Sequence, residues 1–501
     1  MTRTQRRWAF ITVITATFMT YLDNNIVNVA LPSMQRDLHL SVPELEWIVS
    51  SYALVFGCFL LVCGRLADFR GSRLLLLAGL VVFTASSLSA GLAGNAATLI
   101  GSRAVQGLGA AAATPATLAI IPALYQTDRQ RHRAMGIWGA VGALALALGP
   151  LLGGLLSQHA RWGWIFFINV PVGVAAIALG AWSIHLSAAD HSGVKIDIGG
   201  LASSGCALFA LTYALIQGEQ AGWGSPVIVG CFILAVLCGV AFVAIERRGS
   251  DPMIDVSWFR DRVFGGGLVA AFIWAFGIYG IYFFTSLYLQ DVLGFSPTRT
   301  GLAFVPMALL VVAGSILSGW AARRFGSHRS VAAAMGLIAA GMVCGLLLGA
   351  DASFLQVASV LVIIGTGAGF TTSLPTAVLG VMPAGRGGVA SATFSTVRQT
   401  GALIGITAIG AILAAGEATA RHTAQTPGGA FIQGYHLGLL MAAALVAAGG
   451  LVAYWALHRT MAKRPVEPSE TAVSCTPDPA SASSLTADAY SDSQECGSSG
   501  R

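Results

Sequence analysis

Residues 20–32 read "TYLDNNIVNVALP", an aspartate and three asparagines crowded into six positions of a segment that is otherwise apolar. Upstream, residues 10–19 read "FITVITATFM", so the polar group interrupts a run long enough to enter a bilayer. At about 100° per residue, Thr17, Thr20, Asn24 and Asn28 fall on one narrow helical stripe, with Asp23 and Asn25 at its flanks. A carboxylate near the bilayer centre costs roughly 2.5–3.5 kcal/mol on insertion scales, so it normally faces a cavity and marks a substrate or proton path. Hydrogen bonding to neighbouring helices is the competing, purely structural role. The stretch therefore predicts a membrane-crossing helix with one wet face.

The rest of the chain agrees with that class. Its 501 residues are 55% hydrophobic and 10% charged, with a mean hydropathy of +0.73. A soluble domain carries roughly 25% charged residues. Apolar runs near the roughly 20 residues needed to cross a bilayer recur along nearly the whole length, which leaves no room for a soluble catalytic domain. We read an all-α polytopic membrane protein with fourteen transmembrane helices. Breaks fall at Pro32, "DFRGSR" (68–73), "DRQRHR" (128–133), "ERRGSDP" (246–252) and "RRFGSHR" (323–329). "TRTQRRW" at 2–8 precedes a retained first helix rather than a cleaved signal, because no small-residue cleavage site follows.

An even helix count puts both termini on one side, and arginine and lysine assign that side to the cytoplasm. Of the 28 such residues, only Arg36, Arg161, Arg299 and Arg421 fall in outer loops, and only Arg103 and Arg398 within spans. The formal charge of +6 thus reflects topology, and no nucleic-acid partner is expected. Cys58, Cys63, Cys206, Cys231, Cys238 and Cys344 lie in apolar runs, Cys475 and Cys496 in the polar tail. No spacing suggests a disulfide framework or a metal site.

"GRLADFRGSR" at 64–73 has a degraded echo, "GWAARRFGSH", at 319–328, and the same register carries "LHLS" at 38–41 onto "LGFS" at 293–296. A duplicated unit in one orientation follows, as in transporters built from parallel repeats. The expected domains are a six-helix bundle over 8–183, a two-helix insert over 197–245, a second six-helix bundle over 264–458 and a disordered cytoplasmic tail over 462–501.

Several stretches carry candidate chemistry. Arg103, five residues into span 4, shares the outer half of the membrane with Asp23 and is placed to pair with it. It opens "RAVQGLGAAAATP" (103–115), where Gln106 adds a polar group and Gly107 permits close helix approach. Span 5 contains "ALALGPLLGG" (145–154), whose Pro150 removes a backbone donor while Gly149, Gly153 and Gly154 let another helix slide past. The turn at 64–73 mixes Asp68 with Arg65, Arg70 and Arg73, either a positive retention loop or salt bridges that break as the halves move. "GTGAGF" at 365–370 is a glycine-rich helix segment and not a phosphate loop, since no lysine follows it.

Together these stretches resemble the major facilitator superfamily, specifically its fourteen-helix drug:proton antiporters, over about residues 8–460. "LDNNIVNVALP" is similar to that family's first-helix signature. Gly64, Asp68, Gly71 and Arg73 resemble its loop between helices 2 and 3, and Arg103, Gln106 and Gly107 its helix-4 motif. Gly149, Pro150, Gly153 and Gly154 resemble its helix-5 exporter motif, and "WGWIFFINVPVG" (162–173) its start of helix 6. Phe69 and Ser72 depart from it where basic residues are usual, and the second copy has Arg323 where the acid would stand.

The resemblance implies alternating access, a substrate cavity between the halves, and export driven by proton entry. Asp23 and Arg103 are implied as the proton-coupling pair, Asp23 alternatively as a cationic-substrate site. Thr20, Asn24, Asn28 and Gln106, with Arg398 and Gln399 of "TVRQTG" (396–401), are the expected cavity residues. Gly64, Asp68, Arg70, Gly71 and Arg73 are the expected latch. The expected activity is proton-coupled efflux of antibiotics or other amphipathic molecules across the bacterial cytoplasmic membrane by a monomer. No cofactor beyond the proton gradient is needed, and the partners are substrate, protons and lipid. A dedicated exporter of one metabolite or siderophore is the alternative transporter reading. A non-transporting receptor is the alternative from another class. An enzyme is not expected, because no nucleophile, base and metal ligands cluster.

Overall fold

A computed structural model describes residues 2–125, 127–185, 197–248, 256–382, 387–422 and 427–458. The tail at 462–501, with Cys475 and Cys496, lies outside the described residues. Fourteen helical rods account for nearly all of the described chain: α1 (Arg3–Leu38), α2 (Val42–Arg70), α3 (Ser72–Gly91), α4 (Ala96–Leu124), α5 (Asp128–His159), α6 (Trp164–Ser183, interrupted at Ile168) and α7 (Ile198–Ala221). They continue with α8 (Pro226–Arg248), α9 (Arg262–Val292), α10 (Pro297–Phe325), α11 (Ser327–Gly345), α12 (Phe354–Leu379, interrupted at Thr371 and Thr372), α13 (Gly387–His422) and α14 (Pro427–Leu457).

Local sequence explains where these rods start. Thr2 and Gln5 form a capping box on α1, and Ser353 and Gln356 another on α12. Asn95 accepts from the Thr98 amide at the head of α4, and Asp261 accepts from the Val263 and Phe264 amides at the head of α9. Each side chain satisfies an amide that has no partner within its own helix. Gly71 and Gly326, at corresponding places in the repeated turn, join α2 to α3 and α10 to α11 with φ of 92° and 85°, a backbone that glycine adopts without strain.

Pro32 does not end the first helix as expected. It lies inside α1, which runs on to Leu38 and closes at His39 with φ 52° and its amide bonded to Gln35 O. The proline removes one backbone bond, while Leu31, Pro32 and Met34 are all buried. Packing on both sides holds the turn together.

Twelve of the rods are long and apolar enough to cross a membrane on length and composition, which makes a multi-pass membrane protein. The two that fall short of the expected fourteen are α1 and α5. Helix α5 begins with "DRQRHR", and α1 carries the polar stripe together with Arg3, Arg6 and Arg7. A helix whose middle is covered by other helices has no need of an apolar surface, and α1 is buried almost continuously from Met19 to Leu31.

In the first part of the chain α2 and α3 pack on α4, and α5 and α6 on α1. In the second, α9 packs on α13 and α14, and α12 on α10 and α11. Two seams connect these groups, α5 against α10 and α2 against α13. Helix α7 touches α2 and α13, whereas α8 leans mainly on α7 and is largely uncovered by protein. Its exposed Val227, Ile233, Val236, Leu237 and Val240 give it a surface suited to lipid.

Candidate functional site

The polar stretch of α1 divides its side chains between two environments. Asp23 points into protein and is 0% exposed. Its Oδ2 accepts from Arg103 Nη1 at 2.5 Å, and its Oδ1 accepts from Gln106 Nε2 at 2.8 Å and from Asn169 Nδ2 at 3.1 Å. Arg103 and Gln106 stand three residues apart on one face of α4 and bond each other at 2.6 Å. Ser87 of α3 accepts from both Gln106 and Asn169 and donates to Phe166 O at 3.1 Å. Arg103 also donates from Nε to Ile48 O, and its guanidinium lies 4.4 Å from the centre of the Tyr52 ring. Gly107 makes this approach possible, because a Cβ there would come within 2.5 Å of Tyr52 O. Five helices, α1 to α4 and α6, thus contribute side chains to the network around one buried ion pair. Asn169→Ala removes a donor from both Asp23 and Ser87, so the thermal midpoint of the full chain in detergent is expected to fall by the equivalent of about 1–3 kcal/mol. An unchanged midpoint would show that α6 is not tied to the pair.

Thr20, Asn24 and Asn28 face the other way. Thr20 and Asn24, with Tyr21, Tyr52, Phe56, Thr114, Ser395, Arg398 and Gln399, line a cavity of about 40 Å³. Asn24 and Asn28 line an adjoining space of about 10 Å³ with Val49, Ala53, Tyr279, Gln399, Ala402 and Ile406. Walls come from α1, α2 and α4 on one side and α9 and α13 on the other, so the two spaces lie along the α2–α13 seam. Together they hold a few waters at most, well short of the roughly 300–1,000 Å³ of a drug-sized site. Asn25 bonds back to Tyr21 O and Asn28 to Asn24 O, which satisfies their amides within α1.

The expected cavity set therefore splits. Thr20, Asn24, Asn28, Arg398 and Gln399 are brought together, whereas Gln106 joins the ion pair instead. Tyr52 belongs to both places, one ring lining the cavity and covering Arg103.

Beyond the cavity, polar contacts join the two groups of helices at the end that holds Pro32, Gln158 and Thr298. Gln290 donates to Val29 O at 2.8 Å, Arg36 lies 3.6 Å from Asp291, and the Thr298 amide donates to Gln158 Oε1 at 3.0 Å. Gln290 and Asp291 sit in the π-helical last turn of α9. The glycines of α5 have divided roles. A Cβ at Gly149 would strike Asn25 and one at Gly153 Ile26 O, both on α1. A Cβ at Gly154 would strike Pro297 O, and one at Gly301 of α10 would strike Pro150 O. This small-residue surface brings α1, α5 and α10 into backbone contact.

Of the expected latch, Gly64 faces Pro115 on α4, Gly71 makes the turn and Arg70 is exposed. Arg73 donates to Ala181 O at the end of α6. The Asp68 side chain lies outside the described residues.

Sequence reading overlooked Ser87, Asn169, Tyr21, Tyr52, Tyr279 and Ser395. Asn169 had a usable signal, a lone amide in the apolar "WIFFINVPVG" (164–173). The tyrosines had none, since aromatic residues are common in any core. Glu46 was also overlooked. It is 3% exposed on α2 against Gly410 of α13, and its Oε2 meets no hydrogen-bond partner among the described residues.

Residues 13–406 match the family described as the Major Facilitator Superfamily. The chain is 34% identical over 408 residues to the puromycin resistance protein of Streptomyces alboniger, covering 80% of each. It is 36% identical over 402 residues to a multidrug resistance protein of Mycobacterium tuberculosis, covering 79% of this chain and 74% of that one. A methylenomycin A resistance protein of Bacillus subtilis is 36% identical over 399 residues, with 79% and 85% covered. Among solved structures, an inward-facing bacterial homologue of the human lysosomal transporter Spinster superposes with a TM-score of 0.64 at 16% identity, over 92% of this chain and 98% of that one. That likeness is one of fold.

Proposed function

The chain belongs to the Major Facilitator Superfamily, and from that premise we propose that it exports antibiotics or other amphipathic small molecules in exchange for protons. The resistance and export roles named for its relatives support the substrate class. The observation that carries the mechanism is Tyr52, which touches a cavity on one side and the buried Asp23–Arg103 pair on the other. In this reading, protonating Asp23 weakens its hold on Arg103, Gln106 and Asn169 together, so proton binding and rearrangement of α1, α4 and α6 are one event. Substrate pressing on Tyr52 reaches the same pair.

The proposed machine is a monomer of two six-helix halves, 8–183 and 264–458, rocking about the cavity to give alternating access. The insert over 197–245 rides at the edge. Both termini face the cytoplasm of a bacterial inner membrane, so the end closed by Gln290, Arg36 and Thr298 faces outward. No cofactor takes part beyond the proton gradient.

The test is a susceptibility panel in a pump-deficient host, followed by flux of the best hit in inverted vesicles with and without nigericin. Tolerance is expected to rise several-fold, and flux to stop when the pH gradient collapses. Binding without flux would indicate a receptor, and flux that ignores the gradient would remove the proton from the mechanism.

A further inference from the structure

Arg398 lies on α13 in the wall of the cavity, where its Nη1 donates to Tyr279 OH at 3.0 Å. No ion pair reaches it among the described residues. None of the residues lining either space carries a carboxylate. Asp23, the acid of the neighbouring network, is sealed behind Tyr52 and already paired with Arg103. Next to Arg398, Gln399 is 3% exposed, and its Oε1 has no hydrogen-bond partner among the described residues. The cavity therefore contains a guanidinium without a counter-ion and an amide short of a partner.

Arg398 is half-buried, and a cation partly withdrawn from water is best compensated by an anion and further hydrogen bonds. Among the described residues the protein supplies one phenol and no anion. We infer that the missing anion is the substrate: Arg398 is the anion-binding residue of the transport cavity, and the molecules carried are amphiphiles with a carboxylate, phenolate or enolate on a flat apolar body. The planar guanidinium fork suits a carboxylate better than a point charge does. Tyr21, Tyr52, Phe56 and Tyr279 supply flat surfaces for the rest of the molecule. Gln399 and Asn24 take its remaining polar atoms. The same charge repels permanent cations, which sets this cavity apart from one built around an exposed acid. This inference deepens the export reading and rests on it.

The test uses the full chain and three dyes in a pump-deficient host: carboxyfluorescein as anion, ethidium as cation and Nile red as neutral amphiphile. Binding of carboxyfluorescein to the purified protein is followed by fluorescence anisotropy alongside the flux. Wild type is expected to bind and export the anion in preference to ethidium. Arg398→Gln should lose anion binding and export by about tenfold or more, the scale of one charge-assisted contact, with Arg398→Lys intermediate. Ser395→Asp, which places a carboxylate one helical turn from Arg398, should suppress the anion as strongly. A thermal midpoint and gel-filtration profile in detergent matching wild type confirm that all three variants are folded. Equal anion binding by wild type and Arg398→Gln, no anion binding by wild type, or a wild-type preference for ethidium overturns the inference while leaving export intact. Arg398-dependent anion binding with no flux of any dye keeps the site and overturns export.

Discussion

Arg103→Ala is expected to leave little folded protein in the membrane, a larger loss than any substitution on the cavity wall. Removing the guanidinium strands Asp23 as a fully buried carboxylate, and removing one member of a buried pair typically costs about 3–5 kcal/mol. Asp23→Asn leaves Arg103 without its counter-charge, facing the neutral acceptors of the new amide, Gln106 Oε1 and Ile48 O. Neither single variant alone separates a structural role from proton coupling. The double variant Asp23→Asn, Arg103→Gln does, because two neutral amides keep hydrogen bonding without either charge. Its abundance and thermal midpoint, read by fluorescence-detected gel filtration after heating, should recover most of the loss in each single variant. Gradient-driven flux should stay absent, since nothing remains at the pair to take a proton. Full flux in the double variant would remove the pair from the proton path, and failure to recover folding would mean that the charges themselves hold α1 to α4.

The second large effect is expected at Gly154. Its Cα faces Pro297 O across the α5–α10 seam, and a side chain there meets backbone that has no rotamer to change. Overpacking at such a contact costs about 1–3 kcal/mol. That cost falls only on the state in which the seam is closed, so it shifts the closed-to-open ratio by a factor of roughly 5 to 150. Gly154→Leu should therefore hold apart the end proposed to face outward and stop the proposed export while the protein still inserts. A reporter cysteine at Ser157, in a cysteine-free background, should label faster with an impermeant thiol reagent from outside. Gly154→Ala should show the same changes at smaller size. Unchanged labelling together with unchanged flux would mean that α5 and α10 already part at this level in the resting protein.

Membrane class, helix positions and the partnership of Asp23 with Arg103 were legible in the chain itself. Each rests on something local: run length, turn chemistry, or the depth of a charge along its own helix. The spacing of Thr20, Asn24 and Asn28 also defined a stripe correctly, because helical period is a local property. What the spacing leaves open is the rotation of that helix against its neighbours. Contacts from distant parts of the chain settle it, such as Gly149 and Gly153 against α1. Only the tertiary structure therefore decided that Asp23 turns away from the cavity, that Gln106 goes with it and that Tyr52 stands between the two. It alone also left Arg398 without an anion among the described residues, since a counter-ion depends on which five helices meet, and no periodicity within one helix records that meeting.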